Sequence, residues 1–129
     1  MRVYGNGPTQ QIRRGRTVVR GGRLVTPGGV VPDGVVVIED ERVVFAGAAT
    51  DWRSDAAPSL EVDAAGGWIC PGFIDGHVHG GGGADTMAAD LDALGVIARE
   101  HSRHGTTSFL PTTVPAPHEQ LLKVAAVVR

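Results

Sequence analysis

The stretch Trp68-Ile-Cys-Pro-Gly-Phe-Ile-Asp-Gly-His-Val-His79 decides how the rest of the chain is interpreted. It combines an apolar approach, a Pro-Gly corner and a short strand, and it ends at a run of four glycines, Gly80–Gly83. In a strand, side chains two residues apart leave the same face, with Cα atoms roughly 6.5 Å apart. His77 and His79 are therefore expected to converge on one ligand, such as a metal ion.

An isolated His-x-His pair is more often a surface feature or satisfied polar packing than a metal site, because so short a motif recurs by chance. The context favours a metal site, since the pair ends an apolar strand directly before a glycine loop. Asp75 has the same parity as the two histidines and is a candidate acceptor for the second nitrogen of a ligating histidine. Gly80 and Gly81 are candidate loop residues, because glycine lets the backbone approach a ligand closely.

The chain after this strand has the order helix, strand, helix. Apolar residues at steps of three and four predict a helix over 89–104, with Gly105 as its natural stop. The β-branched run 106–113 predicts a strand, and the amphipathic run 117–128 predicts a second helix. This order favours a parallel sheet with crossover helices. Because parallel strands need neighbours on both sides, we expect 71–129 to begin a larger α/β domain of a longer protein.

The preceding residues, 16–70, have a different pattern, of short β-branched runs broken by turn residues, and predict a small β-sheet or half-sandwich. The predicted strands are 18–19, 24–26, 35–38 and 43–46. Residues 47–66 have little pattern and are predicted to be a connection, apart from a short apolar stretch around Leu60 and Val62. Residues 1–15 lack periodicity and predict a flexible tail.

Composition excludes several classes of protein. The 129 residues carry 12 Lys and Arg against 14 Asp and Glu, for a net charge of −2, so no overall positive field favours nucleic acid as a partner. No apolar stretch has the length of a signal peptide or a membrane span, which favours a cytoplasmic protein without a membrane partner. The single cysteine, Cys70, cannot form an internal disulfide and is predicted to be a small buried hydrophobe rather than a nucleophile.

The remaining polar residues are weaker candidates for chemistry. His101 and His104 close the predicted helix, where a cation interacts favourably with the helix dipole, so a structural role is favoured over catalysis. Asp85 either caps a turn or touches substrate, and the turn is favoured. Thr112 and Thr113 end the second strand and could face the mouth of a site, although β-propensity alone also explains them.

Pro71–His79 resembles the Pro-Gly-x-Ile-Asp-x-His-x-His signature of the amidohydrolase superfamily, metal-dependent hydrolases built on a (β/α)8 barrel. The glycine-rich continuation to Met87 and the stretch His104–Thr113 are similar to the family of N-acetylglucosamine-6-phosphate deacetylases within it. Residues 23–47 look like the small β-domain that precedes the barrel in this superfamily. The resemblance implies an α/β fold in which a small N-terminal β-sheet or half-sandwich is followed by the first two βα units of a TIM barrel, incomplete in this chain.

The resemblance also implies a site and a reaction. His77 and His79 would bind a divalent metal ion, zinc or iron, one or two per site, at the C-terminal end of the first barrel strand. The other ligands and the catalytic general base are expected beyond Arg129, so no catalytic residue is assigned in this chain. The implied enzyme, expected to be a homodimer, hydrolyses N-acetylglucosamine 6-phosphate, a small amino-sugar phosphate, to glucosamine 6-phosphate and acetate. Two alternatives stay open: another amidohydrolase acting on a cyclic amide or an N-acyl amino acid, and a non-catalytic truncated fragment.

Overall fold

The computed structural model describes residues 15–54 and 56–128, which form two compact units, one up to Pro71 and one from Gly72 onward. Of the predicted flexible tail, residues 1–14 lie outside the described residues. Among the described residues, no helix is both long enough and apolar enough to cross a membrane.

The first unit is a five-stranded sheet. Its strands are β1 (Arg16–Thr26), β2 (Gly29–Glu39), β3 (Arg42–Ala48), β4 (Leu60–Asp63) and β5 (Trp68–Ile69). The strands β1, β2 and β3 form an antiparallel meander, and β4 and β5 both pair with β1 in the parallel direction. The small β-sheet expected from the sequence is therefore present.

Two details of the predicted sheet are corrected. The runs 18–19 and 24–26 belong to one strand, because β1 continues through Gly21 and Gly22 with shifts in its register against β2. The apolar stretch around Leu60 and Val62, excepted from the predicted connection but not assigned to a strand, is strand β4, because its backbone finds hydrogen-bonding partners on the otherwise open edge of β1.

The core of this unit lies on one face of the sheet. Val35 and Val37 alternate along β2, and Val37 is the register partner of Val18 on β1, so all three valines share a face. Each of the three is 1–2% exposed. The side chains that pack against this cluster are Phe45, Ala49 and Trp52.

Close packing between β1 and β2 leaves no room for a side chain at Gly34. A Cβ there would overlap the Cβ of Leu24 and lie 3.0 Å from its backbone nitrogen, which cannot move without breaking the strand pairing. We expect Gly34→Ala to lower the free energy of unfolding by about 1–3 kcal/mol, the usual cost of overpacking. Denaturant unfolding of the 129-residue chain followed by tryptophan fluorescence measures this, since Trp52 and Trp68 are its only two tryptophans.

Gly28→Ala is the matched control. The nearest atom to a Cβ at Gly28 is the Thr26 hydroxyl at 3.8 Å, an ordinary contact, so the stability should change by less than about 0.5 kcal/mol. Equal unfolding midpoints for the two variants would contradict the packing argument.

The second unit is a mixed α/β structure. Its elements are β6 (Phe73–Val78), β7 (Gly80–Gly81), β8 (Ala84–Asp85), α1 (Leu91–Arg103), β9 (Thr106–Pro111) and α2 (His118–Val128). The strands β6 and β9 pair in parallel, with α1 as the connection between them, which confirms the predicted crossover. The glycine run, expected to be a loop, includes the small antiparallel pair β7–β8.

The ends of α1 follow from local sequence. Asp90 is the N-cap, and its carboxylate accepts hydrogen bonds from the backbone amides of Asp92 and Ala93. Gly105 has φ +89°, a left-handed conformation that ends the helix, as the sequence predicted. The helix buries Ile97 completely.

The prediction that Cys70 is buried is wrong, because the residue is exposed. Ile69, the last residue of β5, is buried with 8% exposure. Successive side chains in an extended chain point in opposite directions, so the residue after Ile69 faces away from the core.

Candidate metal centre

The side chains of His77 and His79 converge at the C-terminal end of β6. Their Nε2 atoms are 3.0 Å apart, and the rings meet edge to face with centroids separated by 4.7 Å. Both residues are exposed. The two-residue spacing therefore brings the imidazoles together, as expected from the sequence.

A bulge in β6 lies between Asp75 and Val78, in the stretch that includes His77. Asp75 pairs with Phe109 and Val78 pairs with Pro111, so β6 advances three residues while β9 advances two. The extra residue shifts the alternation of side chains between the two faces of the strand. Consistent with this shift, Val78 is buried although Ile74, four residues earlier, is 79% exposed.

The expectation that Asp75 shares the histidines' face and orients an imidazole is corrected by this bulge. Its Oδ1 atom accepts a hydrogen bond from the backbone amide of His77 at 3.1 Å. Its Oδ2 atom lies 3.9 Å from Nδ1 of His101 on α1. The carboxylate therefore fixes the backbone of His77 rather than its ring.

The backbone carbonyl of Thr112 has the role expected of Asp75. It lies 3.0 Å from Nδ1 of His79. Because a carbonyl oxygen can only accept, Nδ1 carries the hydrogen and the lone pair is on Nε2, which faces His77. From the sequence, Thr112 could face the mouth of a site or be explained by β-propensity alone. The contact with His79 was not predictable from the side-chain pattern, because it involves the backbone carbonyl.

Thr112 is itself held firmly against β6. Its backbone amide donates to the carbonyl of Val78 at 2.7 Å, and its hydroxyl accepts from the amide of Val78 at 3.2 Å. The carbonyl that contacts His79 thus belongs to a residue that two hydrogen bonds tie to the backbone of Val78. This arrangement restricts the orientation of the His79 ring.

The two glycines singled out from the sequence pack against α1. The carbonyl of Gly80 accepts a hydrogen bond from Nε2 of His101 at 3.2 Å. A Cβ on Gly81 would lie only 3.1 Å from that same nitrogen. In the described residues these glycines bring the loop close to the helix, and their approach to a ligand stays a prediction.

The weaker candidates have local structural contacts. Asp85 accepts a hydrogen bond from the backbone amide of Met87 at 2.7 Å and caps the short 3-10 turn 86–88, as favoured from the sequence. His104 follows α1 as its C-cap and contacts Glu100 at 3.4 Å. His101 is the exception, because it contacts the segment that carries the histidine pair.

The histidine pair fits a shared metal ion. Two nitrogens that share one tetrahedral zinc ion at about 2.0–2.1 Å lie roughly 3.3 Å from each other, a few tenths of an ångström more than the 3.0 Å observed here. The same 3.0 Å separation also suits a hydrogen bond from Nε2–H of His77 to Nε2 of His79. Within 15–54 and 56–128, no group of three or more His, Cys, Asp or Glu side chains could hold an ion. The described residues thus supply two ligands, fewer than the three of a catalytic zinc site.

Known proteins resemble this chain in sequence and structure. An N-acetylglucosamine-6-phosphate deacetylase of Bacillus subtilis (strain 168) is 38% identical over 96 residues, which are 74% of this chain and 24% of the relative. An imidazolonepropionase of Cupriavidus taiwanensis is 36% identical over 103 residues, 78% of this chain and 25% of the relative.

A solved structure gives the same picture. A mutant N-acetyl-D-glucosamine-6-phosphate deacetylase from Mycobacterium smegmatis, in complex with N-acetyl-D-glucosamine-6-phosphate, matches 87% of this chain and 28% of its own, with 28% identity and a TM-score of 0.66. No protein-family model matches the sequence. The chain spans about a quarter of the length of the curated relatives it matches.

Proposed function

Because this chain matches the N-terminal part of amidohydrolase-superfamily proteins, N-acetylglucosamine-6-phosphate deacetylases in particular, we propose that it provides the first metal-binding strand of such a deacetylase. The substrate would be an N-acetylated amino-sugar phosphate, and the products the free amine and acetate. The elements β6, α1, β9 and α2 would be the first two βα units of a (β/α)8 barrel. We expect the whole protein to be a cytoplasmic homodimer.

The observation that carries this proposal is the 3.0 Å separation of two imidazole Nε2 atoms, one of them oriented by the Thr112 carbonyl. His77 and His79 would hold a divalent ion, zinc or iron, through these nitrogens. Such an ion supplies Lewis-acid chemistry, which polarises an amide carbonyl and activates water.

The chain's own residues prepare this site for a ligand. Thr112 keeps the His79 ring in the tautomer whose Nε2 can bind. Asp75 holds the backbone amide of His77 at the bulge, where the regular strand pairing is interrupted. Both histidines are thus oriented by groups from β6 and from the residue that follows β9. The general base that accepts a proton from water would come from another part of the protein.

The similarity to imidazolonepropionases supports a second candidate function, that of a related amidohydrolase with the same metal-binding strand. A superfamily can share its metal-binding strand while its members differ in the substrate pocket. The deacetylase and the related amidohydrolase would both use the strand that carries His77 and His79, so either function would depend on these two residues.

Substrate turnover by the whole gene product, loaded with zinc or iron, tests the proposal. We expect release of acetate from N-acetylglucosamine 6-phosphate, abolished by a chelator and restored by added metal. N-acetylglucosamine without the phosphate is the control and should react far more slowly. Turnover of an imidazolone substrate, with no acetate release from the sugar phosphate, would support the second candidate instead.

A further inference from the structure

His101 is the one residue of α1 whose ring contacts both ends of the segment that carries the two histidines. Its Nε2 atom lies 3.2 Å from the carbonyl oxygen of Gly80, directly after His79. Its Nδ1 atom lies 3.9 Å from Oδ2 of Asp75, two residues before His77. Because the carbonyl can only accept, Nε2 carries the hydrogen of the first contact.

These two residues flank the histidine pair, Asp75 at a register shift of β6 and Gly80 just beyond the end of that strand. Asp75 lies at the bulge, where its carboxylate holds the amide of His77. Gly80 begins the hairpin β7–β8, where the chain leaves the sheet. A bulge followed at once by a glycine run has little conformational restraint of its own. Contacts from outside the segment are therefore needed to fix the geometry of the histidine pair.

The ring of His101 is held in place by its surroundings. It stacks on Phe109 with centroids 5.8 Å apart and an interplanar angle of 18°. Phe109 is the register partner of Asp75, so the stacking surface and the carboxylate lie side by side on β9 and β6. Gly81 lacks the side chain that would crowd Nε2. Helix α1, both strands and the hairpin thus fix the position of one imidazole.

We propose that His101 is a positioning residue, whose hydrogen bond to the Gly80 carbonyl ties the chain directly after His79 to α1 and thereby sets the separation of the His77 and His79 nitrogens. The inference rests on the proposed function, because it assigns His101 to the same metal site. His101 itself is not a ligand, since its two ring nitrogens face Gly80 and Asp75. The contact restrains the metal-binding segment rather than merely ending the helix.

Substitutions at His101 separate positioning from packing. His101→Phe keeps an aromatic ring against Phe109 but removes the hydrogen bond to the Gly80 carbonyl. His101→Gln places an amide nitrogen near the position of Nε2 and keeps a donor for the Gly80 carbonyl. His104→Phe makes the same chemical change three residues later on an exposed side chain and is the matched control.

Metal affinity of the whole gene product is the first measurement. We expect His101→Phe to weaken zinc binding about 10- to 100-fold, the usual effect of losing a contact that orients ligands. His101→Gln should recover most of that loss, and His104→Phe should bind zinc like the wild type. Equal zinc affinity in His101→Phe and His104→Phe would overturn the inference, as would a His101→Gln variant no better than His101→Phe.

Amide hydrogen exchange of the metal-free protein is the second measurement, and it does not depend on the proposed function. Peptides that cover 73–82 should exchange faster in His101→Phe than in His101→Gln or His104→Phe, because the segment loses its contact with α1. Unchanged exchange in His101→Phe would overturn the inference. Absence of stoichiometric metal in the wild type, combined with this exchange pattern, would refute the proposed function and leave the contact itself supported.

Discussion

Replacing His77 and His79 together by alanine is expected to remove bound metal from the whole gene product and to abolish acetate release. The two Nε2 atoms converge within 3.0 Å, so the double substitution removes both ligands that this chain supplies to one ion. Metal catalysis is worth several kcal/mol of transition-state stabilisation, so we expect turnover to fall by about 10³-fold or more. Metal content by elemental analysis and acetate release measure the two effects.

A double substitution of His104 and His118 by alanine is the control, since both residues are exposed and neither contacts the pair in the described structure. It should retain wild-type metal content and turnover. Stoichiometric metal that persists in the His77→Ala/His79→Ala protein would show that the ion is held elsewhere.

The 129-residue chain by itself is expected to release no acetate from N-acetylglucosamine 6-phosphate above a metal-only blank. In 15–54 and 56–128 no group of three or more His, Cys, Asp or Glu side chains could hold an ion, so the pair of His77 and His79 leaves a divalent site at least one ligand short of the usual three. We also expect the general base to come from another part of the protein, as in the proposed function, so proton transfer would lack its acceptor in this chain. Without a complete metal site and without a general base, the isolated chain is expected to have no deacetylase activity.

Amide hydrogen exchange of residues 73–128 on the same sample serves as the folding control, because Trp52 and Trp68 both lie in the first unit and do not report on the unit that carries the histidine pair. A folded but inactive chain supports the argument. Metal-dependent acetate release from the isolated chain, lost in the His77→Ala/His79→Ala version of it, would contradict the incomplete ligand set.

Local sequence was enough to predict α1, β9 and α2 in the second unit, although it missed the short strands β7 and β8. Periodicity over three and four residues marks α1, Gly105 marks its end, and the crossover follows from strand, helix and strand in succession. Each of these features depends on residues within one or two turns of one another. The convergence of His77 and His79 was also predictable from local sequence, because the two residues are only two positions apart in one extended segment.

The strands of the first unit were only partly predictable. Glycines normally interrupt a strand pattern, so 18–19 and 24–26 were separated, whereas cross-strand pairing carries β1 through Gly21 and Gly22. The short run at Leu60 becomes β4 only because β1 offers it an unpaired edge. Pairing with strands far along the chain therefore determined the bounds of β1 and the formation of β4.

The sequence by itself determined that two histidines would meet at the end of a strand, and the tertiary structure decided what holds them. The bulge at Asp75 depends on the register between β6 and β9. The Thr112 carbonyl reaches His79 across 33 positions, and His101 reaches Gly80 across 21. A side-chain pattern encodes periodicity, but it does not encode which backbone carbonyl a folded chain brings to an imidazole. That depends on how β9 pairs with β6 and how α1 packs against β7 and β8.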